Sequence, residues 1–194
     1  GITYEPGNTA TMSSDEAVRE GFRHIMGKRR RWEGEEEVRL AWATALERAT
    51  GLDFDAERRK RDLNFNNVII EFKAPGLFKG KASSSKFKEA TQERLLPYIR
   101  REAKRQDIDE ADFIGIAIDG DHLCFIQVQG GAIVPGHLLP FTEQSFGMVV
   151  EACVKSFRRS VIAENLIEDF GHESPAATAV MQVLSDALSD ALKS

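Results

Sequence analysis

Apolar residues recur along this chain with two periods, and the switches between them delimit its elements. Ser14-Asp15-Glu16-Ala17 has the composition of a helix start, and Lys28-Arg29-Arg30-Arg31 that of a helix end, where cations complement the partial negative charge of the last carbonyls. Gly34 separates this helix from a second, predicted over residues 35–50 and stopped by Gly51 as a C-cap. At about 100° per residue, Val38, Trp42, Ala45, Leu46 and Ala49 fall in one stripe; Glu35 borders it, whereas Glu36 and Glu37 face away. Short strands are then predicted at residues 52–57 and 61–65, a turn at 64–67, and an apolar strand at 68–73 ended by Ala74-Pro75-Gly76. Residues 80–85 read as a loop and 85–104 as a long helix, which Pro97 must kink or break at Leu96 because proline has no N–H to donate. Two more strands, 113–118 and 123–128, are joined by Asp119-Gly120-Asp121-His122, a hairpin signal. From Thr142 onward the pattern is helical, with Ser174-Pro175 opening the last helix. The order helix, three strands, helix, two strands predicts an α/β fold.

The strand Asn67-Val68-Ile69-Ile70-Glu71-Phe72-Lys73 sets charged side chains into apolar surroundings. Alternate residues share a face, so Glu71 and Lys73 point one way and Phe72 into the opposite layer. Charged groups are seldom buried unless they are paired or bind metal. Asp62, on the neighbouring strand, brings a second carboxylate to the same sheet edge. Two carboxylates and a strand carbonyl such as that of Phe72 are hard oxygen donors, which select Mg²⁺, with Mn²⁺ as substitute, over zinc. Lys73 then lies where an amine orients or deprotonates an attacking water, and Glu35 where it takes a second metal or orients that water. For an isolated Glu-x-Lys, a surface hairpin carrying an ion pair is the simpler alternative.

A chain of 194 residues, 42% hydrophobic, can bury a substantial core. Cys124 and Cys153 lie in apolar stretches without Cys-x-x-Cys spacing, which fits a reducing, cytoplasmic setting, and no apolar run is long enough to cross a bilayer, so no membrane association is expected. The missing initiator Met and the helix running to the last residue point to a piece of a longer polypeptide. Net charge is −5, yet residues 58–105 hold fourteen basic side chains against five acids, while the rest holds twelve against twenty-six. Screening over about 8–10 Å keeps the acidic flanks from cancelling this basic middle, so Arg58, Arg59, Arg61, Lys79, Lys81 and Lys86 are candidate contacts to a phosphate backbone. The four histidines are scattered without zinc-ligand spacing, and neither a Walker A loop, nor a dinucleotide fingerprint, nor Gly-x-Ser-x-Gly is present.

Taken together these residues resemble the PD-(D/E)xK nuclease superfamily, and within it the N-terminal endonuclease domains of type I and related single-chain restriction enzymes. The likeness covers residues 35–128 and rests on the helix with Glu35 and Arg39, on Arg61-Asp62, on the strand with Glu71 and Lys73, and on a following helix with Gln92 and Tyr98. It departs from the family in having no Pro before Asp62 and in a wider Gln92 to Tyr98 spacing. The resemblance implies a restriction-endonuclease-like αβββαβ core, a mixed central sheet flanked by helices, over residues 34–140. An N-terminal helix and linker (1–33) would precede it, and a C-terminal helical extension (141–194) would lead to further domains. It also implies Mg²⁺-dependent cleavage of double-stranded DNA in a restriction or other genome-defence enzyme, with Asp62, Glu71 and the Phe72 carbonyl as ligands, Lys73 at the water and Gln92 near the backbone. Helicase or methyltransferase domains are the implied partners, with a transient dimer for cutting both strands. The alternative is a catalytically inactive nuclease-fold module that docks DNA or protein.

Overall fold

A computed structural model describes residues 14–52, 62–65 and 67–162 of the chain. Helix α1 spans Ser14–Arg29 and α2 Glu35–Thr50. Gly51 ends α2 in the left-handed region (φ 71°), its N–H donating to the Glu47 carbonyl at 2.8 Å, a closure that glycine makes without Cβ strain. Of the expected stripe, Val38, Trp42, Ala45 and Leu46 are buried and Ala49 packs beside them; Ala41 and Ala43 are buried too, so α2 buries a broader face than the stripe alone. Small alanines permit this by letting neighbouring elements approach closely.

Strand β1 (Asp62–Phe65) pairs antiparallel with β2 (Val68–Phe72), and the strand predicted at 52–57 lies, after Leu52, outside the described residues. The chain leaves β2 through a turn with Gly76 at φ 75°. It then crosses over through α3 (Ser85–Lys88), a π-helical segment Glu89–Leu95 and α4 (Leu96–Gln106). The disturbance expected from Pro97 is therefore a widened turn rather than a break: Leu96 donates to the Thr91 carbonyl, five residues back. Beyond it β3 (Ile114–Ile118) lies parallel to β2, and β4 (His122–Gln129) forms the expected hairpin with β3. Asp119, fully buried, turns that hairpin by accepting N–H groups from Asp121, His122 and Phe78.

Two strands extend the sheet beyond the predicted set, β5 (Ala132–Pro135) and β6 (Leu139–Pro140), both on β4. The signal for β5 is Gly130-Gly131, whose positive φ values (59° and 76°) make a two-residue hairpin turn. The strand order is β1-β2-β3-β4-β5, with β6 beside β4, and β2–β3 is the parallel pair. The result is α/β, a mixed sheet flanked by helices.

Alternation divides the sheet into two faces. Val68, Ile70, Phe72, Ile116, Ile118, Leu123 and Phe125 pack with α1, α2 and α5 (Glu143–Ile162), around Ile25, Trp42, Leu46, Phe146 and Cys153. Ile69, Ala117, Cys124, Ile126 and Val128 pack with the crossover helices through Phe87, Ala90, Leu95 and Ile99. Helices α1 and α5 thus share one hydrophobic layer with α2. Gly21 permits this contact, since a Cβ there would stand 2.7 Å from the Phe146 ring and 2.8 Å from the Ala45 carbonyl. Burial raises both cysteine thiols to about 12, consistent with inert core residues. Among the described residues no helix is long and apolar enough to cross a membrane.

Candidate functional site

Glu71 and Lys73 sit on the sheet face that otherwise holds Ile69, at the C-terminal end of β2 where the sheet is parallel to β3. Open α/β sheets present ligands at this end, because the strands stop while the helices around them continue. The Lys73 N–H donates to the Ile118 carbonyl at 2.8 Å, holding the residue in line with the strand although it lies one position past it. Phe72, between them, is fully buried in the opposite layer, so its contribution to a metal site is confined to its backbone carbonyl. Glu71 and Lys73 are only 8% and 6% exposed, and such charges need partners.

The Lys73 ammonium donates to Glu89 Oε1 at 2.7 Å and lies 3.9 Å from Glu71 Oε1. The second Glu89 oxygen accepts from Lys86 Nζ at 3.0 Å. The hydrogen bond from Lys73, then that from Lys86, with the attraction of both cations, hold the Glu89 carboxyl down at about 2. A carboxyl depressed in the folded state contributes stability above its ordinary pKa and loses it as pH falls toward the depressed one. Glu89→Gln is therefore expected to lower folding stability at neutral pH and to leave it unchanged near pH 2, with the difference closing between 4.5 and 2; denaturant titrations across that range measure it.

Strand register supplies the second carboxylate position. Asp62 stands directly opposite Glu71 in the β1–β2 pair, an arrangement in which Cα atoms are about 4.5–5.5 Å apart and both positions belong to one face. Glu35, at the first turn of α2, lines a cleft of about 660 Å³ with Arg39, Glu71, Lys73, Glu89 and Tyr98. The structure thus brings Glu35, Glu71 and Lys73 into one cavity. Tyr98 is held there by the Asn64 side-chain amide, which donates to its hydroxyl at 2.7 Å.

The other candidates lie around rather than in this cleft. Lys79 and Lys81 are exposed on the turns after β2, Lys86 is exposed beside Glu89, and Gln92 is exposed outside the cleft lining. Arg58, Arg59 and Arg61 fall outside the described residues. Sequence reasoning had counted Glu89 only among the acids of the basic segment. The cue was Pro97, since the π-helical segment it accompanies begins at Glu89.

The donors on offer, carboxylates and a strand carbonyl, are of the hard type that Mg²⁺ prefers. Among the described residues no group of three His, Cys, Asp or Glu side chains forms a metal cage. Magnesium is usually held by one or two carboxylates with several waters, and the residue types at these two facing strand positions, Asp62 and Glu71, suit it in kind and number. Compared with models of protein families, with curated proteins and with solved structures, the chain matches none.

Proposed function

We propose that this cleft hydrolyses phosphodiester bonds, as the site of a Mg²⁺-dependent endonuclease domain for double-stranded DNA within a larger restriction or genome-defence enzyme. The observation that carries this reading is the register of Asp62 opposite Glu71, with the Lys73 ammonium buried 3.9 Å from the Glu71 carboxylate at a cleft mouth. Isolated ion pairs of a surface hairpin do not bury both charges.

Asp62, Glu71 and the Phe72 carbonyl would hold Mg²⁺. When bound, the ion lowers the pKa of a water and neutralises charge on a phosphodiester oxygen. Glu35 accepts a hydrogen bond from the attacking water and aims its lone pair at phosphorus; as the new P–O bond forms, the bond to the departing sugar oxygen breaks, the attacking water gives up its proton to solvent and the departing oxygen takes one from it. Lys73 donates from Nζ to a non-bridging oxygen as negative charge grows there, and Glu89, by hydrogen bonding the same ammonium, keeps it aligned. Exposed Lys79, Lys81 and Lys86 meet phosphates away from the scissile one, adding affinity without sequence choice.

Nicking of supercoiled plasmid by the purified chain tests the reading. Cutting is expected in Mg²⁺ or Mn²⁺, to stop with chelator, and to fall about a hundredfold or more in Asp62→Ala, the several kcal/mol that a metal site supplies. Equal cutting by the variant ends the proposal. A non-catalytic docking module is the second reading, favoured by the 2.7 Å engagement of Lys73 with Glu89, which occupies the amine. Calorimetry separates them: salt-sensitive DNA binding without any Mg²⁺ or Mn²⁺ binding supports docking.

A further inference from the structure

Arg39 stands one helical turn beyond Glu35 on the wall of the same cleft. Its side chain is 12% exposed, and the described residues offer its buried Nε no hydrogen-bond acceptor. Its ion pair is with Glu36 at 3.6 Å, a carboxylate that is itself 76% exposed. That separation exceeds the roughly 2.7–2.9 Å of a charge-assisted hydrogen bond. The guanidinium therefore carries its charge at the cleft with its Nε unmet among the described residues, although Glu35, Glu36, Glu71, Glu89 and Glu93 line the same cavity. Buried polar groups are ordinarily satisfied, and an exception in a cleft marks a donor kept for something that enters.

Two features narrow what enters. A planar fork of N–H groups matches oxygens presented in pairs, as on a carboxylate or a phosphate. The five glutamates of the lining already offer carboxylates without meeting Arg39 Nε, whereas the cations spread along the cleft, Lys73, Arg94 and Arg101, suit an anion whose charge repeats along a backbone. We propose that Arg39 binds the non-bridging oxygens of a backbone phosphate of the strand lying in this cleft, deepening the nuclease reading on which it rests. Arg39 would then anchor the nucleic acid from the α2 wall while Lys73 faces it from the sheet.

Binding rather than cutting tests this, with the full chain, a fluorescently labelled DNA duplex and chelator present to prevent hydrolysis. Arg39→Gln is expected to weaken binding about tenfold and to reduce the slope of log affinity against log salt by about one. Arg39→Lys keeps the point charge without the fork, so it is expected to keep the slope and recover part of the affinity. Melting curves of both variants establish that they are folded, and if Arg39→Gln is not, Arg39→Lys alone carries the test through its intermediate affinity. Wild-type affinity and slope in Arg39→Gln, wild-type affinity in Arg39→Lys, or a wild-type chain that ignores the duplex each overturn the proposal. The nuclease reading fails separately, when the wild type binds duplex with Arg39-dependent slope but does not nick plasmid in Mg²⁺.

Discussion

Lys73→Met is expected to slow Mg²⁺-dependent nicking by two to three orders of magnitude, because a preorganised donor aimed at developing charge is typically worth about 10²–10³ in rate. The side chain is 7% exposed and its ammonium lies between Glu89 at 2.7 Å and Glu71 at 3.9 Å, so among the described residues of the sheet it is the cation at that point. Methionine preserves the aliphatic stem and its packing. Glu89 retains Lys86 at 3.0 Å, so the charge left behind is not orphaned. The stability cost is therefore expected to stay near 1–3 kcal/mol, the range for losing one hydrogen-bonded charged partner. Lys73→Arg should recover little, since a planar fork does not occupy the space of a compact ammonium. Single-turnover nicking rates with melting curves measure both effects. A Lys73→Met rate within threefold of wild type, in folded protein, excludes the lysine from the chemistry.

The largest loss of stability is expected from Trp42→Ala, at about 3–5 kcal/mol. Trp42 is fully buried, with ring centroids 5.4 Å from Phe146, 5.5 Å from Phe141 and 6.5 Å from Phe72. Removing the indole opens a cavity among α2, α5 and the sheet that these rings cannot all close. For a domain of this size the shift in melting temperature is roughly 6–20 °C, taking about 2–4 °C per kcal/mol. Trp42→Phe should cost much less, because among the described residues the indole Nε1 meets no acceptor whose loss phenylalanine would add to the cost. Calorimetric melting of the two variants checks the order. An alanine variant melting within about 2 °C of wild type contradicts this account of the core. Since Phe72 separates Glu71 from Lys73 in the chain, the alanine substitution is also expected to disturb the cleft from behind.

The elements set by short-range chemistry were legible. Helix α2 begins and ends where its stripe and Gly51 indicated, and the Asp119-Gly120-Asp121-His122 turn joins β3 to β4 as expected. The opposite orientations of Phe72 and of Glu71 with Lys73 followed from strand alternation alone. Glu35 was placed on the inner border of α2 by helical geometry, and it does line the cleft, but so does Glu36, which that geometry turned away. Less was readable where two weak signals competed. Ala132 to Pro135 is short and ends in proline, so β5 forms because β4 offers an edge, not because its own residues demand a strand. In the crossover, Pro97 announced a disturbance, but packing of Ala90, Leu95 and Ile99 on the sheet selected a π-helical turn over a break.

By itself, then, the order of residues determined the helices, the apolar strands and the shared face of Glu71 and Lys73, since all depend on neighbours within a few positions. Tertiary structure alone decided that Glu89 would grip Lys73, that Asp62, expected at the same sheet edge, would stand directly opposite Glu71, and that Arg39 would line the same cleft with no acceptor for its Nε among the described residues. Those outcomes join segments distant along the chain, where the strength of a charge depends on how deeply the fold buries it and which partner arrives at hydrogen-bonding distance.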